Sequence, residues 1–316
     1  MKVLLPANMR DQYVEQIRTV SDEVEVIQRK SEEEVLEVMP EVEVVLGSLS
    51  REMFVRAEQL RWFQATSAGV DRYMYPEFIE SGIILTSSKG TVGVQLSEQA
   101  MGLLLGLTRA IGTAIRKADW KAETKAQIRQ EAWELIGLTM GIVGLGGTGR
   151  ALAVRAHGFG MRIIAVDPEE VEVPDCVEAC WKVDRFHDLL AESDVVAVCC
   201  PLTKDTEGLF DREAFRQMQN HALLINVTRG RIMDEAALVE ALEQRQIAGA
   251  GLDVTPQEPL PEDHPLWKME NVIVTPHVAS ASPNQAGRVA SLFTENLRRL
   301  LHNEPMLSVI DKQKQY

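Results

Sequence analysis

The chain has 316 residues, 45% hydrophobic and 25% charged, the make-up of an ordinary globular protein long enough for two domains with sizeable cores. The 47 acidic residues against 33 basic ones give a formal net charge of −14, which argues against nucleic acid or anionic membrane as a partner. No apolar run reaches membrane-spanning length, and Met1 to Pro6 is too short for the apolar core of a signal peptide, so a cytoplasmic protein is expected.

In chain order, residues 3–5 read as a strand, 11–20 as a helix and 24–27 as a second strand. Ser31 caps a short helix through Val38, and its Glu32-Glu33-Glu34 run reads as a solvated face. A strand at 42–46, a helix at 50–59 and strands at 62–65 and 83–85 follow. This alternation predicts a parallel sheet with helices on its faces. It carries no glycine fingerprint, so it is read as the substrate domain. A long helix over 97–117, with Met101, Leu104, Leu105 and Ile111 on its apolar side, carries the chain into a second domain.

The most informative stretch comes next. Met140-Gly141-Ile142-Val143 reads as a buried strand, and Gly144, Gly146 and Gly149 then fall at the G-x-G-x-x-G spacing before a helix. The first glycine allows a tight turn, the second lets a pyrophosphate approach the backbone, and the third lets the helix pack on the strand. The helix N-terminus offers N–H groups and partial positive charge to phosphates. A second strand, 163–166, ends at Asp167, about 20 residues past the glycines, where a ribose-binding carboxylate is expected. Pro168, Glu169 and Glu170 follow, with no Arg or Lys for a 2′-phosphate, so NAD is favoured over NADP.

Further strands are expected at 195–199, 223–226, 251–254 and 272–274, with helices at 210–218 and 235–244. Ligands of open α/β sheets bind outside the carboxyl ends of the strands, so Asp167, Asn226, Asp253 and the residues after Val274 should face one crevice. A helix runs from Ser282 to about His302, and strand-like residues 307–310 return to the first domain. The predicted fold class is α/β, with two Rossmann-like or flavodoxin-like domains, parallel sheets and a cleft between them. Residues 1–97 with 285–316 form a discontinuous substrate (catalytic) domain, and residues 98–284 the NAD-binding Rossmann domain. Cys199 and Cys200 read as core residues of a strand. Cys176 and Cys180 have no second pair, so no metal site is expected and the thiols read as reduced.

Three groups past strand ends carry the chemistry: Asn226-Val227-Thr228-Arg229-Gly230, then Asp253-Val254 with Glu258-Pro259, then Thr275-Pro276-His277-Val278-Ala279-Ser280. Hydride transfer to a 2-oxo acid needs a guanidinium to pair with the substrate carboxylate and polarise its carbonyl. It needs an imidazole to protonate the oxygen, and a carboxylate to orient that imidazole. Arg229, His277 and Glu258 supply one each.

At these residues the chain resembles the D-isomer-specific 2-hydroxyacid dehydrogenases. The resemblance covers nearly the whole chain and is strongest from Glu134 to Ser282. It implies that Arg229 binds substrate, that Glu258 pairs with His277, and that His277 is the acid–base group. It gives the dinucleotide Gly144, Gly146, Gly147, Thr148, Gly149, Asp167, Pro201, Thr206, Val227, Thr228, Asp253, His277 and Ala279, with Asp253 at the nicotinamide carboxamide. It assigns the backbone N–H groups of Ala68, Gly69 and Val70 to the substrate carboxylate, and implies a homodimer formed through the nucleotide domain. Two departures are Gly147-Thr148 at the variable positions of the glycine turn, and Gln99 where a His often follows the Glu equivalent to Glu98.

The expected function is an NAD-dependent oxidoreductase that interconverts a small 2-oxo acid and its D-2-hydroxy acid, of the glyoxylate/hydroxypyruvate or broader type. The rivals are a specialised oxidation of another small anion such as phosphite, and a nucleotide-sensing interaction protein like the corepressors that share these motifs. Glu258 argues against formate, whose enzymes resemble this family with Gln at that position. The chain ends soon after its last expected crossing, so the extra regulatory domain of the longer phosphoglycerate dehydrogenases is not expected.

Overall fold

The computed structural model describes all 316 residues. The chain divides into two compact units, Met1–Val92 with Ser282–Tyr316, and Gly93–Ala281. The crossings fall a few residues from the expected 97/98 and 284/285, because the helix beginning at Gly93 belongs entirely to the second unit.

The first unit holds β1 (Lys2–Leu5), β2 (Glu25–Gln28), β3 (Val44–Gly47), β4 (Trp62–Ala65) and β5 (Ile84–Thr86). They form one parallel sheet in the order β2-β1-β3-β4-β5, the flavodoxin-like order. Helices α1 (Asp11–Arg18), α2 (Glu32–Val38), α3 (Arg51–Arg56) and α4 (Pro76–Glu80) connect the strands. Ser31 caps α2 as expected, accepting the Glu34 N–H while the Glu34 side chain accepts from the Ser31 backbone. The C-terminal helix, Gln285–Leu301, buries Val289, Ala290, Phe293 and Leu297 on one stripe. Phe293 stacks on Trp62 with ring centroids 4.7 Å apart, a contact that adds about 1 kcal/mol beyond its area.

Residues 307–310 do not form a strand. They make a single antiparallel bridge, Thr86 to Val309, flanked by Ser87 N–H to Ser308 C=O and Ile310 N–H to Leu85 C=O. Ser308 is in the left-handed region (φ 55°), which twists the segment off the edge of β5 after one contact.

The second unit begins with α5 (Gly93–Thr108), α6 (Ile111–Lys117) and α7 (Ala122–Glu131). The single helix expected over 97–117 is broken at Ala110, whose φ of 52° is left-handed. The Trp133 N–H takes the Thr108 carbonyl at 2.7 Å, and the Thr108 hydroxyl bonds back to the Leu104 carbonyl, so the helix end is closed by a tertiary partner. Then follow β6 (Thr139–Val143), α8 (Gly147–Gly158), β7 (Arg162–Val166), β8 (Ala179–Trp181), α9 (Phe186–Glu192), β9 (Val195–Val198), α10 (Arg212–Gln217), β10 (Leu223–Asn226), α11 (Glu235–Glu243), β11 (Gly249–Leu252) and β12 (Val272–Val274).

These seven strands are all parallel, in the order β12-β11-β10-β9-β6-β7-β8. Strands such as β6 (TMGIV) and β9 (VVAV) are buried along their whole length, as covering of both faces requires. The order reverses between β6 and β9, so the crevice for a ligand opens past the carboxyl end of β6. That end is Val143, immediately before the glycine turn. No helix is long and apolar enough to cross a membrane.

Candidate active site

The glycine turn is built as its spacing demands. Gly144 has φ 95°, and a Cβ there would lie 2.7 Å from the backbone N of Cys200. A Cβ on Gly149 would lie 2.1 Å from the Gly144 carbonyl oxygen, so α8 rests directly on the turn. Gly146 is the N-cap of α8, and a Cβ there would meet nothing within 4 Å. Gly147 and Thr148 open the helix beside it. The open surface over a helix N-terminus fits a pyrophosphate group.

Asp167 follows β7 and is 8% exposed. Its Oδ2 accepts the Leu145 N–H at 2.8 Å and its Oδ1 accepts the Glu169 N–H at 3.0 Å. It therefore braces the glycine turn, and a carboxylate with about four acceptor positions retains capacity for ribose hydroxyls. The residues present fit a dinucleotide. A cation does lie nearby, from an element other than the one after Asp167. Lys182 Nζ donates to the Pro168 carbonyl at 3.1 Å.

After β9, the Thr206 hydroxyl donates to the Pro201 carbonyl at 2.7 Å and accepts the Thr203 N–H at 2.8 Å. Thr206 thus folds the 201–206 loop with its own hydroxyl. Burial pushes the Cys200 thiol at the start of this loop up to about 12, and the Cys199 thiol higher still.

After β10, Asn226 is fully buried and organises the next three residues. Its Oδ1 accepts the N–H of Thr228 at 3.0 Å, and its Nδ2 donates to the Arg229 carbonyl at 2.9 Å. Val227 and Thr228 are buried, and the half-buried Arg229 donates from Nη1 to the Thr228 carbonyl. Gly230 then packs so closely on the next loop that a Cβ would lie 1.9 Å from the Thr255 carbonyl carbon. Only glycine permits that approach. It sets the Arg229 loop against the segment that carries Glu258.

Glu258 is held at both ends. Its Oε1 accepts the Thr255 N–H at 3.1 Å, and its Oε2 lies 2.6 Å from Nδ1 of His277. The pair is partly open to solvent, with 45% of the His277 side chain and 37% of the Glu258 side chain exposed. His277 sits at φ 51°, in the left-handed region, a conformation that persists only where neighbours over-determine it. Asp253, 1% exposed, supplies that determination. Its backbone carbonyl accepts the His277 N–H at 2.8 Å, its Oδ1 the Val278 N–H at 3.1 Å, and its Oδ2 the Ala279 N–H at 2.7 Å. Asp253, the residue expected at the nicotinamide carboxamide, thus also anchors the His277 turn.

Thus the second unit brings together the ends of β10, β11 and β12 with Arg229, Glu258, His277, Asp253 and Ala279. Ala68, Gly69 and Val70 lie in the first unit, in the loop after β4, where the Ser67 hydroxyl donates to the Gly69 carbonyl at 2.8 Å. Sequence reasoning placed Gly230 and Thr275 in the site segments without giving either a role, and did not name Thr255. An Asn at a strand end followed four residues later by Gly was the one local signal for the first of them.

A parallel seven-stranded dinucleotide-type sheet, with a His–Glu pair and an arginine at its carboxyl edge, defines a nucleotide-dependent dehydrogenase fold. The profile of the D-isomer specific 2-hydroxyacid dehydrogenase, NAD binding domain, matches residues 101–279. The chain is 37% identical over 262 residues to a glyoxylate reductase of Korarchaeum cryptofilum, covering 81% of this chain and 77% of that protein. It is 36% identical to a glyoxylate reductase of Thermofilum pendens, over 85% of this chain and 80% of that one. Among solved structures, a D-isomer specific 2-hydroxyacid dehydrogenase from Xanthobacter autotrophicus, in complex with NADPH and MES, superposes with a TM-score of 0.84 at 27% identity, covering 100% of this chain and 99% of that one. The chain belongs to the D-isomer-specific 2-hydroxyacid dehydrogenase family.

Proposed function

We propose that this protein reduces small 2-oxo acids, glyoxylate and hydroxypyruvate first among them, and that larger substrates yield D-2-hydroxy acids. The observation that carries the reading is the 2.6 Å contact between Glu258 and His277 at the strand edge that also bears Arg229. The two glyoxylate reductases named above favour the smallest substrate. NADH is the preferred donor, because the Asp167 carboxylate repels a 2′-phosphate. The Xanthobacter relative is in complex with NADPH, so the preference for NADH in this chain rests on side chains such as Asp167 and Lys182.

The dinucleotide, when bound, supplies a hydride to the carbonyl carbon. Gly144, Gly146, Gly147, Thr148 and Gly149 hold its phosphates, Asp167 its ribose, and the Pro201–Thr206, Val227–Thr228 and Asp253–Ala279 loops flank the rest. Arg229 pairs with the substrate carboxylate and draws electron density from the carbonyl. His277 donates a proton from Nε2 to the carbonyl oxygen as it becomes an alkoxide. Glu258, on Nδ1, keeps the ring turned so that Nε2 is the nitrogen presented, and balances its charge before transfer.

The protein works as a homodimer through the nucleotide-binding unit. Ile111, Ile115, Trp120 and Ile136 are 47%, 72%, 86% and 71% exposed there, more large apolar surface than a monomer needs. A panel of glyoxylate, hydroxypyruvate, pyruvate and bulkier 2-oxo acids, each with NADH and NADPH, tests the assignment. Absence of turnover with every acid, together with tight NADH binding, would replace it with a nucleotide-sensing role.

A further inference from the structure

Gln99 lies on α5, half-buried, and its side chain reaches a loop 176 positions away in sequence. Its Nε2 donates to the Thr275 hydroxyl at 2.9 Å. Thr275 in turn donates to Asp253 Oδ1 at 2.5 Å. The polarity of this chain is fixed. A carboxylate only accepts, so the single Thr275 proton goes to Asp253, and the Thr275 oxygen needs a donor behind it. The Gln99 amide is that donor.

Beyond Asp253 the same carboxylate takes the N–H groups of Val278 and Ala279, and the Asp253 carbonyl takes that of His277. These bonds hold His277 at a left-handed φ of 51° with its ring against Glu258. We infer that Gln99 is a positioning residue for the acid–base turn: through Thr275 and Asp253 it fixes the backbone from which His277 is presented. Without the Gln99 donor the Thr275 hydroxyl is no longer backed, its bond to the Asp253 carboxylate is less firmly directed, and the turn loosens. The inference rests on the role of His277 proposed above.

Gln99→Met keeps the length of the side chain and removes the donor, and Gln99→Glu turns it into an acceptor. In glyoxylate reduction, Gln99→Met is expected to lower kcat about tenfold, as small misplacements of a reacting group do. KM and NADH affinity should stay within about twofold of wild type, because Arg229 and the glycine turn are untouched. Gln99→Glu should lower kcat further. In a Thr275→Val background Gln99→Met should add less than about twofold, since the link is already cut. In the dinucleotide-free protein, the NMR signals of the Val278 and Ala279 amides should move in Gln99→Met.

Wild-type kcat and unmoved amides in Gln99→Met, with His277→Ala inactive, would overturn the inference and leave the function standing. A fall in kcat that tracks a loss of thermal stability and adds to that of Thr275→Val would also overturn it, as ordinary packing. Near-wild-type turnover by His277→Ala would instead remove the functional reading itself.

Discussion

Glu258 bridges two parts of the site: one carboxylate oxygen takes the Thr255 N–H at 3.1 Å, and the other lies 2.6 Å from Nδ1 of His277. Because Thr255 is also where Gly230 packs, the carboxylate that orients the histidine is fixed to the loop that carries Arg229. His277 and Arg229, the proposed proton donor and substrate-binding cation, are thereby positioned by one local structure, which is what a reaction needing both at once requires.

His277→Ala should lower kcat for glyoxylate by about 10²–10⁴, the contribution of a positioned acid–base group. Glu258→Gln should lower it less, since the amide still contacts the ring but does not balance its charge. NADH binding, followed by fluorescence titration, should persist in both. Retained turnover in His277→Ala would rule out its role.

Arg229→Lys should raise KM and lower kcat together, with kcat/KM falling about 10²-fold. An ammonium lacks the planar fork that pairs with a carboxylate and polarises the adjacent carbonyl. Steady-state kinetics with a 2-oxo acid and with the corresponding aldehyde lacking the carboxylate separates the effects: the aldehyde should lose only the part due to carbonyl polarisation, a smaller fall than that of the 2-oxo acid.

Asp167→Ser should shift the NADH to NADPH preference toward NADPH by at least about tenfold in kcat/KM, as about 1.4 kcal/mol of repulsion is relieved. The neighbouring Lys182 then becomes available to a 2′-phosphate, so adding Lys182→Ala should reverse part of the gain. An unchanged ratio would show that Asp167 serves only to brace the turn through Leu145 and Glu169.

Gly230→Ala places a methyl 1.9 Å from the Thr255 carbonyl carbon, with the Thr255 oxygen and the Pro256 nitrogen also too close. The loops must part, at a cost of about 1–3 kcal/mol in stability. Activity should fall more than stability explains, because both Arg229 and Glu258 move. Chemical denaturation and kcat on the same preparation test this.

Cys199 and Cys200 should resist thiol reagents at pH 8 until the protein unfolds. Burial raises both thiols, Cys200 to about 12, so the reactive thiolate is scarce at that pH. Mass-spectrometric mapping of alkylation across a urea series would show labelling at these positions rise only with global unfolding.

Much of this molecule is written in short-range pattern. The glycine spacing, the apolar strands and the polar residues that end them are local signals. They sufficed to indicate two parallel α/β sheets and to single out Arg229, Glu258 and His277. Parallel strands share one carboxyl edge, so residues just past different strand ends must gather there whatever the details of the loops. The sequence therefore determined the class of fold and the candidates for the reacting groups.

What only the tertiary structure decided are relations between distant residues. Nothing near Ala110 marks a helix break, because the partner that closes α5 is the N–H of Trp133. Residues 122–131 lack an apolar stripe, so α7 left no periodic trace. The segment after Asp167 carries no cation, yet folding brings Lys182 alongside from another element. The sequence marks Asp253 only by its place at a strand end, while folding shows its carboxylate holding the Val278 and Ala279 amides and the Thr275 hydroxyl. Close approach, as of Gly230 to Thr255, and hydrogen-bond polarity, as from Gln99 through Thr275, depend on which surfaces meet. Residue type and spacing carry no record of that until the chain has folded.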